Sequence, residues 1–133
     1  MSKIIDVTFP GGLKVDAQIG DVKIPSDQPV SAGGDNSAPQ PFELFLASLA
    51  TCAGVYAVSF CRSREIDTEE MTLTMSCDFD PEVKRYTKMA IHLHLPDGFP
   101  EKHKKAIIRS MDLCTVKKHM LNPPEFEITA DFE

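Results

Sequence analysis

Near the N-terminus, apolar and polar residues alternate with a period of two in three short runs. Ile5, Val7 and Phe9 form the first, which stops at Pro10-Gly11-Gly12. Leu13, Val15, Ala17 and Ile19 form the second, which stops at Gly20-Asp21. Val22 and Ile24 form the third, which ends at Pro25. Successive side chains of a strand point to opposite faces, so alternation punctuated by glycine turns predicts a β-meander. Residues 25–40, PSDQPVSAGGDNSAPQ, are a loop by composition. At Pro41 the pattern changes to a nearly continuous apolar run, broken only by Gly54, that predicts one long helix ending near Ile66. Pro41 suits the first helical position, and Glu43 falls at the third if Gln40 is the cap. A helix apolar on every side must be buried on most of its sides, so it is expected to be the central rod of the fold.

Two alternating runs follow. MTLTMSCDF puts Met71, Leu73, Met75, Cys77 and Phe79 on one face. TKMAIHLHLP puts Met89, Ile91, Leu93 and Leu95 on one face and His92 and His94 on the other. The intervening DPEVKR is a hairpin connection. Pro100 to about Leu113 reads as an amphipathic helix with Ile107 and Met111 inward, and Cys114 to Met120 as a second short helix stopped by Pro123-Pro124. EFEITADFE reads as a last strand, with Phe126, Ile128, Ala130 and Phe132 inward. The predicted order βββ-α-ββ-α-α-β is an α+β fold, with residues 1–133 as a single domain.

Composition narrows the function. The chain has 133 residues, 42% hydrophobic and 26% charged, which allows one domain with a real core. A net charge of −6 disfavours nucleic acid as a partner. Lys102, Lys104, Lys105, Lys117 and Lys118 read as solvated helix faces. The N-terminal MSKIIDVTFPGG meets charges and turn residues too early for a signal peptide. Leu44 to Cys61 approaches the length of a membrane span. Its Ala, Ser, Thr and Gly content favours a buried helix instead, and the expectation is a cytoplasmic protein with no membrane partner.

The candidate chemistry is sulfur. Cys52, Cys61, Cys77 and Cys114 show no CxxC or CxH spacing, so a zinc site is not expected, and in a reducing compartment they are thiols. Cys52 and Cys61 are nine residues apart on the long helix, where each residue turns ~100°, so they face opposite ways. Cys61, beside Arg62 and Arg64 where the helix meets solvent, reads as structural or incidental, and Cys77 as a core filler. Ser48, Leu49, Val55 and Tyr56 flank Cys52, and burial among them alone would leave a thiol inert. Cys114 opens CTVKKHM, where helix-start N–H groups favour a thiolate, while Asp112 opposes it. His92 and His94 share a face and could touch a metal, but no third ligand is evident. His103 and His119 read as exposed.

PFELFLASLATC, followed later by CTVKKHM, resembles the OsmC and organic hydroperoxide resistance family. That family pairs a proline-led helix of pattern P-x-E-L-(apolar)-A-A-(apolar)-x-x-C with a later C-(P/S/T)-V helix start. The likeness extends to the order of elements and covers essentially the whole chain. It implies an intertwined homodimer whose long helices pack together, wrapped by sheets of both chains. It further implies that Cys52 is the peroxidatic cysteine and Cys114 the resolving one. The partners it implies are a hydroperoxide substrate and an external thiol reductant, with no metal or organic cofactor. Sulfenic acid and then disulfide formation fits a thiolate beside a second thiol.

Two positions depart from the family pattern. Its peroxidase members hold the thiolate with an N-terminal arginine, and this chain has none before Arg62; only Lys3, Lys14 and Lys23 are cationic there. A lysine lacks the bidentate guanidinium. The family also places a glutamate ten residues before the cysteine, where this chain has Phe42. Glu43 is one step away, as a catalytic candidate or as a first-turn acid complementing the helix dipole. A subfamily with an aromatic or Met between the Pro and Glu is the nearer match. The expected function is a thiol-dependent organic hydroperoxide reductase. The alternative is a non-enzymatic relative binding a small apolar or thiol-containing ligand at the dimer interface; an accessory to an oxidoreductase partner is a third reading.

Overall fold

The computed structural model describes residues 1–132. The chain forms two compact units, Met1–Ala47 and Ser48–Glu133, and one helix, α1 (Pro41–Ser63), runs through the boundary.

In the first unit, β1 (Asp6–Gly11), β2 (Lys14–Ile19) and β3 (Val22–Ser26) form an antiparallel sheet in the order β1-β2-β3. Ile19 pairs with Val22, so Gly20 and Asp21 make a two-residue turn. Gly20 has φ 57°, a left-handed conformation that glycine adopts without a Cβ penalty. The loop after β3 is organised around Asp27, which is 1% exposed. Its carboxylate accepts from Gln28 N–H at 2.7 Å, Ser37 N–H at 3.0 Å, Ser37 Oγ–H at 2.6 Å and Asp35 N–H at 3.3 Å. These donors, Ser37 hydroxyl first, hold the Asp27 carboxyl well below the usual carboxylate range. Gly34 is fixed by space: a Cβ there would lie 2.1 Å from the Gln28 carbonyl oxygen.

The start of α1 follows its sequence signals. The Gln40 N–H donates to Glu43 Oε1 at 2.9 Å, which is half of a capping box, and Leu44 N–H donates to the Gln40 carbonyl at 3.1 Å. The helix ends at Ser63, earlier than Ile66, in a Schellman turn. Ile66 N–H reaches back to the Cys61 carbonyl at 2.9 Å and Glu65 N–H to the Arg62 carbonyl at 3.2 Å. Glu65 takes the left-handed position at φ 56°, where glycine is usual.

In the second unit, β4 (Thr72–Asp80) and β5 (Arg85–His94) form an antiparallel hairpin. Leu73, Met75 and Cys77 share its half-buried face, as the alternation predicts. Phe79 does not. The register slips between Asp78 and Phe79, which pair with Lys88 and Tyr86, leaving Thr87 as the extra residue of a bulge. Phe79 is accordingly 54% exposed and packs edge-on against Tyr86, with centroids 5.2 Å apart. A 3-10 turn (Glu101–His103) leads into α2 (Lys104–Met111), and α3 (Thr115–Leu121) follows. The core is Ala57, Phe60 and Cys61 of α1 with Ile107 of α2; Met111, Leu93 and Leu95 pack around it.

Two expectations are corrected. The strand expected at EFEITADFE is not formed among the described residues, and Glu133 lies outside them. Alternation supplies a strand with a face but not with a neighbour, and no described edge pairs with this segment; Phe126 and Ile128 are 82% and 96% exposed. Second, α1 is not buried on most sides by this chain. Leu49, Ala53, Ala57, Phe60 and Cys61 make one buried stripe, while Val55 and Val58 are exposed. By length and composition alone, α1 could cross a membrane.

Candidate functional site

The site lies in the second unit, where α1 meets the start of α3. Cys52 opens the fourth turn of α1 and is half-buried. Cys114 is the N-cap of α3, 3% exposed, with φ −45° and ψ 120°. Its side chain performs the capping role that Ser or Asp usually has: Lys117 N–H donates to Cys114 Sγ at 3.4 Å. Lys117 Nζ also pairs with the Asp112 carboxylate, closing the turn that carries Cys114.

The structure brings Cys52 and Cys114 together. The backbone N–H groups of Val116 and Thr115 and the Cys114 thiol lie near the Cys52 sulfur and favour its thiolate. The Val116 N–H contributes most, burial opposes it, and the balance pushes the Cys52 thiol below its ordinary value. The first-turn N–H groups expected to serve Cys114 are therefore divided. Those of Thr115 and Val116 face Cys52, and that of Lys117 faces Cys114. These donors are the functional groups that sequence reasoning missed. The CTV helix start was the available signal, but nothing in it shows which sulfur the donors face. Tyr56, one turn beyond Cys52, places its hydroxyl 3.2 Å from Thr115 Oγ1.

Beside Cys114 lies a cavity of about 520 Å³. Leu49, Ala53, Ile91, Leu93 and Ile107 give it apolar walls, and Lys104, Arg109 and Lys117 bring cations to it. The space suits a small organic molecule with an apolar body.

The remaining candidates have other employment. Glu43 caps α1 through Gln40. Lys14 is paired with the Asp35 carboxylate, whose hydrogen bond raises the ammonium pKa, and Lys23 stands opposite Gln18 in the β2–β3 ladder. Cys61 is fully buried in the core rather than at a solvent boundary, and burial pushes its thiol up against a weaker opposing effect of Arg64. Cys77 stands opposite Met89 in the hairpin. His92 and His94 are exposed residues of β5, opposite Thr74 and Thr72, and His92 also lines the cavity. Among the described residues, no three His, Cys, Asp or Glu side chains are grouped to hold a metal ion. His103 is not a solvent residue: its ring packs edge-on against Phe60, with centroids 5.8 Å apart.

Residues 34–129 match the sequence model of the family described as OsmC-like protein. Among solved structures, a putative osmotic stress induced and detoxification response protein from Psychrobacter arcticus is similar, with 25% identity and a TM-score of 0.75. That alignment covers 89% of this chain and 87% of the other. An organic hydroperoxide resistance protein OsmC from Legionella pneumophila aligns over 90% of this chain and 89% of its own, at 22% identity and TM-score 0.59. An OsmC-like protein from Mycoplasma pneumoniae aligns over 92% and 91%, at 16% identity and TM-score 0.66. The last two likenesses are of fold. No curated protein sequence matches the chain.

Proposed function

We propose, from the premise that the chain belongs to the OsmC-like protein family, that it is a thiol-dependent reductase of organic hydroperoxides, with Cys52 peroxidatic and Cys114 resolving. One observation carries this reading: Cys114 and the peptide N–H groups of Val116 and Thr115 lie beside the Cys52 sulfur and favour its thiolate. The description of the Psychrobacter relative as a detoxification response protein points the same way. The Cys52 thiolate attacks the terminal oxygen of ROOH; the O–O bond breaks, ROH leaves after taking a proton, and Cys52 becomes a sulfenic acid. The Cys114 thiol then displaces hydroxide, giving a Cys52–Cys114 disulfide and water. Two equivalents of an external thiol return both cysteines and leave as a disulfide, which suits a reducing compartment such as the cytoplasm. The apolar walls of the cavity beside Cys114 favour organic hydroperoxides over hydrogen peroxide.

The same reading includes a homodimer. The exposed Val55 and Val58 of α1 are apolar surface that a second copy would cover. Light scattering after gel filtration is expected to give twice the mass of 14.7 kDa; a monomer at micromolar concentration removes this part.

The enzyme is tested by mixing reduced protein with stoichiometric cumene hydroperoxide and following thiol loss and disulfide formation. Wild type is expected to react fast and form the disulfide. Cys52→Ser abolishes consumption, and Cys114→Ser consumes peroxide but stops at sulfenic acid. If wild type reacts no faster than free cysteine at the same pH, the enzyme reading is lost. The cavity would then favour the second reading, a non-enzymatic protein binding a small apolar or thiol-containing molecule.

A further inference from the structure

Cys52 and Tyr56 are four residues apart on α1, so they share a helix face. Both reach one residue of α3. The Oγ1 of Thr115 lies 3.2 Å from the Tyr56 hydroxyl, and its backbone N–H lies on the side of the Cys52 sulfur, whose thiolate it favours. At seven residues, α3 is too short to be a stable helix by itself, so its orientation must come from what it touches. An N–H donor loses strength steeply as its angle to the acceptor opens, so a small rotation of α3 would uncouple Thr115 and Val116 from the sulfur while leaving the fold intact.

We propose that Tyr56 is a positioning residue: its hydrogen bond to Thr115 pins the start of α3 against α1 and thereby keeps Cys52 reactive. Thr115 Oγ1 is the other half of the pin. Neither side chain touches the Cys52 sulfur through its own polar atom, so both act through the backbone donors that they align. This inference rests on the reading of Cys52 as a reactive thiol, but its test needs no peroxide.

The test is peptide-resolved labelling by iodoacetamide, reading the rate at Cys52 as a function of pH, with thermal unfolding recorded alongside. The variants are Tyr56→Phe, Thr115→Val, their double mutant and Thr115→Ser. Tyr56→Phe and Thr115→Val are each expected to slow labelling at neutral pH by roughly 2- to 10-fold, the worth of one hydrogen bond, and to move the profile to higher pH. The double mutant should be no slower than either single, because both break the same bond. Thr115→Ser, which keeps the hydroxyl, should restore the wild-type profile. A fast wild type with an unmoved Tyr56→Phe profile overturns the inference and leaves the proposed function standing, whether or not the unfolding midpoint shifts. Additive losses in the double mutant also overturn it. A wild-type Cys52 no more reactive than free cysteine overturns both.

Discussion

Thr115→Pro isolates the backbone contribution to Cys52. Thr115 is the first helical residue of α3, where a proline is favoured because its missing N–H has no intrahelical partner. Cys114, which precedes it, already has ψ 120°, the extended conformation that a following proline requires. The substitution therefore removes a donor to the Cys52 sulfur without breaking the helix. Hydrogen bonds to charged groups contribute about 1.5–3 kcal/mol, and Thr115 ranks below Val116 among the donors, so the lower end applies. About 1.5 kcal/mol is roughly a tenfold loss of thiolate at a pH below the titration midpoint. Because Thr115→Pro also deletes the hydroxyl, Thr115→Ala is its control, losing the hydroxyl alone. Pseudo-first-order thiol loss with excess cumene hydroperoxide, plus the labelling profile of Cys52, gives both numbers. Thr115→Pro is expected to be clearly slower than Thr115→Ala, with an unfolding midpoint equal to or above it. Equal rates for the two variants, with both folded, would refute the idea that the Thr115 donor helps to activate Cys52.

Ile107 is fully buried among Ala57, Phe60 and Cys61, so Ile107→Ala should cost about 2–5 kcal/mol, seen as a lower urea midpoint; less than about 1 kcal/mol would contradict this core. Glu65→Gly relieves a left-handed residue at the end of α1 and should stabilise by roughly 1 kcal/mol, whereas an unchanged midpoint would mean that the Schellman turn is not strained. The folded Asp27 carboxyl lies below its unfolded value of about 3.9, so its stabilisation is complete above that pH and is lost as pH falls through and below it. Asp27→Asn should therefore lower stability at neutral pH and flatten its acid dependence below about pH 4, and an acid limb as steep as wild type would refute the assignment. Cys61, buried with its thiol pushed up, should stay unlabelled by iodoacetamide until the protein unfolds; labelling alongside Cys52 would count against its place in the core.

What could be read in the sequence was what neighbours along the chain determine. The three N-terminal strands follow from alternation, and the start of α1 from Pro41 and the first-turn Glu43 that reaches back to Gln40. Features that depend on distant residues were not legible. Phe79 is exposed where the pairing slips past one extra residue of β5, Thr87, which nothing in MTLTMSCDF reveals. The end of α1 was placed too late because Glu65, not a glycine, takes the left-handed position. The last strand was expected from a period of two, but a period cannot supply the edge it must pair with. Cys52 and Cys114 were legible as candidates through the paired motifs. Their donors were not, since Thr115 and Val116 reach Cys52 only once α3 docks on α1.

The departures from the family pattern then make one consistent set under the proposed function. A guanidinium holding a thiolate needs a carboxylate to hold the guanidinium, and that ion pair costs desolvation when it is buried. Peptide N–H groups need no counter-charge, because they are fixed by the helix they begin. A chain that uses them has no work for a glutamate at the position of Phe42, which instead packs its ring against Phe45 with centroids 5.3 Å apart. Glu43 is likewise free to cap α1. The exchange has a physical signature. A surface cation loses much of its effect on a thiolate as salt rises, whereas hydrogen bonds from fixed dipoles at contact distance do not. The labelling rate of Cys52 at fixed pH should thus change less than about twofold between low and 0.5 M salt. A fall of roughly tenfold would mean that a cation, and not Val116 and Thr115, keeps the sulfur ionised.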